Sequence, residues 1–269
     1  MKKLILFTLA VFLLAGCADE DEDADLVDRT LSGVQKIVTQ ITESVEKTLS
    51  KEKHGYGQGV ITDDDNRPVG AVDFNDKFGK YDAYALNDGS DITLTFDEGY
   101  ENGYTEKILD TLKEKKVSAV FFITGDYAEK NPELVKRMIA EGHTVGNHTM
   151  NHYSMPDLTA EEIKDELMQL HDYVKKHFAY EMTLMRPPMG EFSEFSLSQT
   201  KALGYKTVMW SFAYKDWLTD EQPDPAASKQ KLIDAAHEGA VYLLHPVSST
   251  NAEILGDVID AIRAKGFKV

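Results

Sequence analysis

From residue 91 onward the chain repeats one pattern. Apolar runs of four to seven residues stand at 92–96, 117–123, 143–146, 182–185, 206–210 and 241–244. Runs of this length, bounded by polar or turn-forming residues, read as strands. Between them lie stretches with helical character, at 105–115, 132–141, 159–176, 196–203, 226–236 and 252–264. Gly142 stops the second of these, and Thr159 with Glu162 three residues later forms a capping box that opens the third. Strands separated by helices favour a parallel sheet with right-handed crossovers. About 180 residues is compact for a closed (β/α)₈ barrel, and patterning alone does not separate an incomplete barrel from an open α/β sheet.

The N-terminal third has a different texture. Lys2 and Lys3 precede an apolar run at 4–14 that is short for a membrane span. The following Leu14-Ala15-Gly16-Cys17 resembles a bacterial lipobox, in which cleavage precedes the cysteine and the cysteine is lipidated. Cys17 is the single cysteine, which excludes a disulfide within the chain. Residues 20–25 are mostly acidic and read as a solvated spacer. Leu26, Leu31, Val34, Val38, Ile41, Val45 and Leu49 recur at roughly helical spacing, as in a stalk helix. Residues 53–90 are rich in Gly, Asp and Asn without a sustained period, and read as an irregular approach to the domain. The expected organisation is a signal at 1–16, a lipidated spacer and stalk at 17–52, this approach at 53–90 and a domain at 91–269.

The formal net charge is −17, and loss of residues 1–16 removes two lysines and no acid. Such a chain is a poor partner for nucleic acid or anionic surfaces, so membrane attachment has to come from the lipid. The expected location is outside the cytoplasm, lipid-anchored to the bacterial cell membrane.

Five segments place reactive residues just after apolar runs: Thr95-Phe96-Asp97-Glu98-Gly99, His148-Thr149-Met150-Asn151-His152, Arg186-Pro187-Pro188-Met189-Gly190, Asp216-Trp217 and Leu243-Leu244-His245. Taken singly, each has an ordinary explanation: a turn, a surface pair, a rigid loop, a satisfied histidine. In a strand–helix repeat, however, the carboxyl ends of the strands share one face, and that face carries the chemistry. His148 and His152 are i and i+4, which puts both imidazoles on one side of a helical turn, where they can grip one metal. Asn147 is placed to orient His148. Asp97 or Glu98 would add an oxygen ligand. Arg186 can pair with a carboxylate, while Met189 and Gly190 can present backbone N–H groups to a substrate oxygen. Together these are the parts of a metal-assisted hydrolase.

In order and spacing the five segments resemble the polysaccharide deacetylases, carbohydrate esterase family 4, over about residues 91–269. The resemblance implies a distorted, incomplete (β/α)7–8 barrel and one divalent metal, Zn²⁺ foremost, with Co²⁺ or Mn²⁺ as alternatives. It implies Asp97 as general base, with Glu98, His148 and His152 at the metal-ligand positions. It implies Arg186 as partner of the base and the Met189 amide in the oxyanion hole. Asp216 would tether the general acid His245, Trp217 would wall the groove, and Leu243 would face the acetyl methyl. Residues 95–105, 186–194 and 242–248 look most like the muramic-δ-lactam de-N-acetylase branch, which acts on N-acetylmuramic acid after its peptide has been removed. Two residues depart from the pattern. Glu98 stands where the wider family has Asp and this branch Asn, and Met189 replaces a tyrosine. The implied partner is a peptidoglycan glycan strand, met by a monomer. The rival expectations are deacetylation of N-acetylglucosamine in peptidoglycan or another polysaccharide, and a surface lipoprotein that binds glycan without catalysis.

Overall fold

The computed structural model describes residues 29–34, 36–37 and 48–269. The chain divides into two compact units, residues 1–49 and 50–269. In the first, residues 29–34 and 36–37 are helical and largely exposed. The signal, Cys17, the acidic spacer and the rest of the stalk lie outside the described residues. Among the described residues no helix is long and apolar enough to cross a membrane.

The second unit begins with β1 (His54–Gly55), α1 (Val69–Phe78), β2 (Ala83–Tyr84), β3 (Thr93–Glu98), α2 (Thr105–Lys115), β4 (Val120–Ile123), α3 (Gly125–Lys130), α4 (Pro132–Ala140) and β5 (Thr144–Asn147). It continues with α5 (Ala160–Phe178), β6 (Leu184–Met185), β7 (Glu191–Phe192), α6 (Glu194–Ala202), β8 (Lys206–Val208), β9 (Phe212–Ala213), α7 (Pro225–Asp234), β10 (Val241–Leu244) and α8 (Ser249–Ala264). Eight strands form one sheet in the order β2-β8-β6-β5-β4-β3-β10-β9. Every pairing in it is parallel. An antiparallel bridge between Leu86 and Ala240 joins the segment after β2 to the approach to β10. This links one margin to the strand next to the other, and the sheet curls into the expected incomplete barrel.

The central strands are apolar on both faces, as a parallel sheet covered by helices demands. All four residues of β4 and of β10 are buried. Phe96 and Phe121 stack across adjacent strands at 5.0 Å between centroids. On the outer layer, α2 turns Ile108, Leu109 and Leu112 inward. Helix α5 starts at the Thr159–Glu162 capping box read from the sequence.

One sequence expectation is corrected. Residues 53–90 are not an irregular approach, and the compact unit starts at Ser50 rather than 91. Helix α1 buries Ala71, Phe74 and Phe78, and β2 pairs with β8. Strand β1 pairs antiparallel with β7. Phe74 and Phe78 each meet Phe192 edge-on, at 5.3 and 4.9 Å. Tyr56 meets Trp210 in the same way at 5.1 Å. These contacts are long in sequence, so no local period announces them.

Because the strands run in parallel, their carboxyl ends open on one side. Asp97 and Glu98 end β3, His148 follows β5, Arg186 follows β6, Asp216 follows β9 and His245 follows β10.

Candidate active site

Asp97 and Arg186 form the floor. Arg186 is fully buried. Its Nε and Nη2 donate to the carbonyls of Val208 and Met209, each at 3.0 Å. Its Nη1 donates to Asp97 Oδ1 at 2.7 Å. The guanidinium also lies 4.4 Å from the centre of the Phe122 ring, a cation–π contact. Burial pushes the Asp97 carboxyl upward, but the charge of Arg186 foremost, with the proton-binding rings of His148 and His245, outweighs it and holds the group below the usual aspartate value. Asp97 is therefore an ionised carboxylate fixed by one oxygen, with Oδ2 turned to the groove.

Beside it lies the histidine loop. His148 Nδ1 donates to the carbonyl of Arg186 at 2.8 Å, which leaves Nε2 with its lone pair. Burial lowers its pKa to about 4, so the ring is neutral near pH 7. The His152 ring meets it edge-on at 4.9 Å. The two rings do meet, but not on a helical turn, as the spacing had suggested. Residues 148–152 are irregular, and two left-handed residues, Thr149 (φ 68°) and His152 (φ 60°), fold the loop back. Asn147 braces it by accepting from the Thr149 amide at 2.8 Å. Gly125 lets it approach α3, because a Cβ there would stand 2.4 Å from Met150 Sδ.

The opposite wall carries His245. Its Nδ1 donates to Asp216 Oδ1 at 2.7 Å, which leaves Nε2 for the groove. Asp216 is buried, and its Oδ2 accepts from the His245 amide at 2.8 Å and from Asn251 Nδ2 at 2.7 Å. Burial alone would lower the His245 pKa, but the hydrogen bond and charge of Asp216 raise it above the ordinary value. The Trp217 ring stands 5.8 Å from His245 and is 48% exposed, and Leu243 is buried beneath. All three line one groove with Asp97, His148, His152 and Met189, with a volume of about 1160 Å³.

Met189 has φ 58° and ψ 8°, and it is followed by Gly190 at φ 64°. Its side chain is largely exposed, and among the described residues its amide makes no hydrogen bond. A Cβ at position 190 would lie 2.6 Å from the Trp210 ring, so glycine is needed for contact as well as conformation.

Glu98 is not where the metal-ligand expectation put it. Successive residues on a strand point to opposite faces. With Asp97 toward the groove, Glu98 points back among the helices and is fully buried. Its Oε1 accepts from Thr105 Oγ1 at 3.4 Å, and Oε2 has no hydrogen-bond partner among the described residues. Burial, followed by the charge of Glu101, raises its pKa well above the glutamate value and favours the neutral acid. Among the described residues no three His, Cys, Asp or Glu side chains are grouped as a metal cage. The remaining donors nevertheless fit a divalent cation. His148 Nε2 and Asp97 Oδ2 face each other at 3.6 Å. Both are acceptors with no proton between them, an arrangement that favours a positive charge.

Some residues of the site were not legible beforehand. Glu166 on α5 is buried and clamps the loop. Its Oε2 accepts from the Asn151 amide at 2.8 Å and its Oε1 from Asn151 Nδ2 at 2.6 Å. It sits within the apolar stripe of Ile163, Leu167 and Leu170, and an acid in such a stripe is the signal that could have found it. Tyr56 and Gln58, from the stretch read as irregular, line the groove, and Gln58 Oε1 accepts from Trp210 Nε1 at 2.9 Å.

A floor of paired Asp and Arg, a histidine pair and a carboxylate-tethered histidine, set at the open end of an incomplete barrel, define the class. The chain belongs to the polysaccharide deacetylase family, whose model matches residues 86–208. It is 44% identical over 203 residues to the peptidoglycan-N-acetylmuramic acid deacetylase PdaA of Bacillus subtilis, covering 74% of this chain and 77% of that one. The solved structure of Bacillus subtilis PdaA, a family 4 carbohydrate esterase, superposes with a TM-score of 0.77 at 40% identity, over 82% of this chain and 95% of that one. A peptidoglycan-N-acetylglucosamine deacetylase of Bacillus cereus is 30% identical over 182 residues, 66% of this chain and 84% of that one. Deacetylases of this family are in general metalloenzymes.

Proposed function

We propose that this protein hydrolyses the acetamide of N-acetylmuramic acid in peptidoglycan, acting as a monomer on the glycan strand. The observation that carries the reading is a carboxylate and a histidine, each held by a partner of opposite charge, facing one groove. Arg186 donates to Asp97 and favours its ionised form, and Asp216 accepts from His245 and favours its protonated form. Binding alone has no need of a poised base and a poised acid. The 44% identity with a muramic acid deacetylase supports this sugar over N-acetylglucosamine.

His148 and His152 would hold a divalent ion, Zn²⁺ foremost, which when bound lowers the pKa of water and polarises a carbonyl. Asp97 Oδ2 takes the proton of the attacking water. The Met189 amide donates to the oxygen as it gains charge. His245 Nε2 delivers its proton to the departing nitrogen, and Asp216 stabilises the imidazolium beforehand. Leu243 offers the acetyl methyl an apolar wall. Arg186 holds Asp97 in place and takes no part in proton transfer, since its three bonds leave it nowhere to move.

The test is acetate release from intact peptidoglycan and from amidase-treated, peptide-stripped glycan, with chelator and with Zn²⁺ restored. Release from stripped glycan supports the reading, and release from intact material or N-acetylglucosamine polymers alone supports the rival sugar. Binding without any release turns the protein into a glycan-binding lipoprotein, a reading that the withdrawal of Glu98 from the histidine pair favours.

Lipidation of Cys17 after removal of residues 1–16 would anchor the protein outside the cytoplasm on the cell membrane. The support is Leu14-Ala15-Gly16-Cys17 after a short apolar run. Fatty-acid labelling should vanish in Cys17→Ser, and persistent labelling would end the lipobox reading.

A further inference from the structure

We infer that Lys215 is a specificity residue, and that it recognises a free carboxylate next to the acetamide of the sugar. The inference rests on the deacetylase reading above and deepens it. Lys215 is the one lysine or arginine among the described residues lining the groove. The other permanently charged lining groups are the acids Asp97, Asp126 and Glu129. Asp126 and Glu129 belong to α3, which follows β4, whereas Lys215 follows β9, beyond β3 and β10. The groove is therefore polarised, with acids on one flank and a cation on the flank of His245. In a chain of net charge −17, Lys215 is the one side chain of permanent positive charge among the described residues lining this groove that an anionic sugar can meet.

Local geometry places Lys215 on the His245 side of the groove. Asp216 turns inward to hold His245, and its neighbours Lys215 and Trp217 both line the groove. The three consecutive residues thus supply a cation, the tether of the acid and an aromatic wall. In muramic acid the lactyl ether and the acetamide sit on adjacent ring carbons. A sugar whose amide nitrogen lies at His245 must therefore carry its lactyl group close by. Among the described residues, Lys215 Nζ is engaged by the exposed Glu221, at 2.9 Å, and side chains on both partners are more than half exposed. Exposed pairs of this kind are weak, so a substrate carboxylate can displace Glu221. A stem peptide converts that carboxylate to a neutral amide and removes the attraction. Lys215 would thus read whether the peptide has been cut away.

The experiment compares peptide-stripped glycan with free lactyl carboxylates against the same glycan after those carboxylates are converted to neutral amides. The wild type should prefer the free acid. In Lys215→Ala the ratio of kcat/KM between the two glycans should fall by about 10-fold, at the low end for a charge-assisted hydrogen bond. The change should lie mainly in KM. Lys215→Arg should keep the preference, Lys215→Glu should reverse it, and high salt should weaken it in the wild type. An equal loss on both glycans in Lys215→Ala, or a wild type indifferent to amidation, overturns the inference while leaving the deacetylase reading intact. No acetate from either glycan with the wild type overturns both.

Discussion

Asp97 and Glu98 are neighbours on one strand, and both are buried carboxylic acids in opposite states. Asp97 meets a guanidinium and is held ionised. Glu98 meets a threonine hydroxyl and the charge of Glu101, and its neutral form is favoured. Desolvation acts on both in the same direction, so the difference lies in the partner that each face of the sheet supplies. A single residue step along β3 therefore separates a reactive group from a structural one. The metal-ligand role expected of Glu98 fails for this geometric reason, and its extra methylene relative to aspartate is not needed to explain it.

The comparison is broken most severely at its reactive end. Asp97→Asn should reduce kcat/KM on peptide-stripped glycan by on the order of 10²- to 10⁴-fold, and His245→Ala by a similar factor, as removal of a general base or acid does. Wild-type turnover in either folded variant would return both residues to a structural role. Asp216→Asn should cost less and leave a distinct signature. The raised pKa of His245 depends on Asp216. Without that charge the pKa falls, the protonated acid is depleted at lower pH, and the basic limb of the rate profile moves toward acid. A basic limb that stays put would show that Asp216 does not set the charge of His245.

Glu166 gives a smaller effect through position. Glu166→Ala frees the amide and side chain of Asn151, and should lower kcat/KM by about 10-fold, the order of a lost charge-assisted hydrogen bond. The double variant Glu166→Gln with Asn151→Asp keeps one acceptor for the amide and reverses the side-chain pair. It should recover most of the loss, and no recovery would mean that the clamp is not what matters. The smallest effect is expected of Glu98→Gln. Metal affinity by equilibrium dialysis should stay within a few-fold of wild type, and a large drop would restore Glu98 to the ligand set. Stability should respond instead. A carboxyl with a raised native pKa binds more protons folded than unfolded, so stability falls as pH rises from the ordinary glutamate value toward the native one. Glu98→Gln should flatten that fall in denaturant melts at several pH values. The lowered pKa of Asp97 has the opposite sign, since its contribution is lost as pH falls below the ordinary aspartate value.

The strands and helices of residues 91–269 were largely legible because each carries its own period or cap. Helix α2 spans Thr105–Lys115 and β10 spans Val241–Leu244, both as read from the sequence. Helix α1 was not legible, because its Phe74 and Phe78 are recruited by Phe192, more than a hundred residues away. The site was legible as a list and only partly as a geometry. The i, i+4 spacing of His148 and His152 suggested a helix, and the rings meet through left-handed loop residues. Glu98 read as a ligand because adjacent letters hide the alternation of a strand. Lys215 carried no signal, since a lone lysine beside an acid looks like any surface pair.

The left-handed turn at Thr149 has a further consequence. A β-branched residue in that region costs on the order of 1–2 kcal/mol. The cost is met by the Asn147 and Glu166 contacts and by the Thr149 hydroxyl, which accepts from the His152 amide at 3.0 Å. Thr149→Gly would relieve the backbone while deleting that hydroxyl and loosening the histidine pair. Thr149 is fully buried, so glycine would also give up a packed methyl and add freedom to the unfolded chain. A selection for turnover would thus hold threonine here despite its backbone cost.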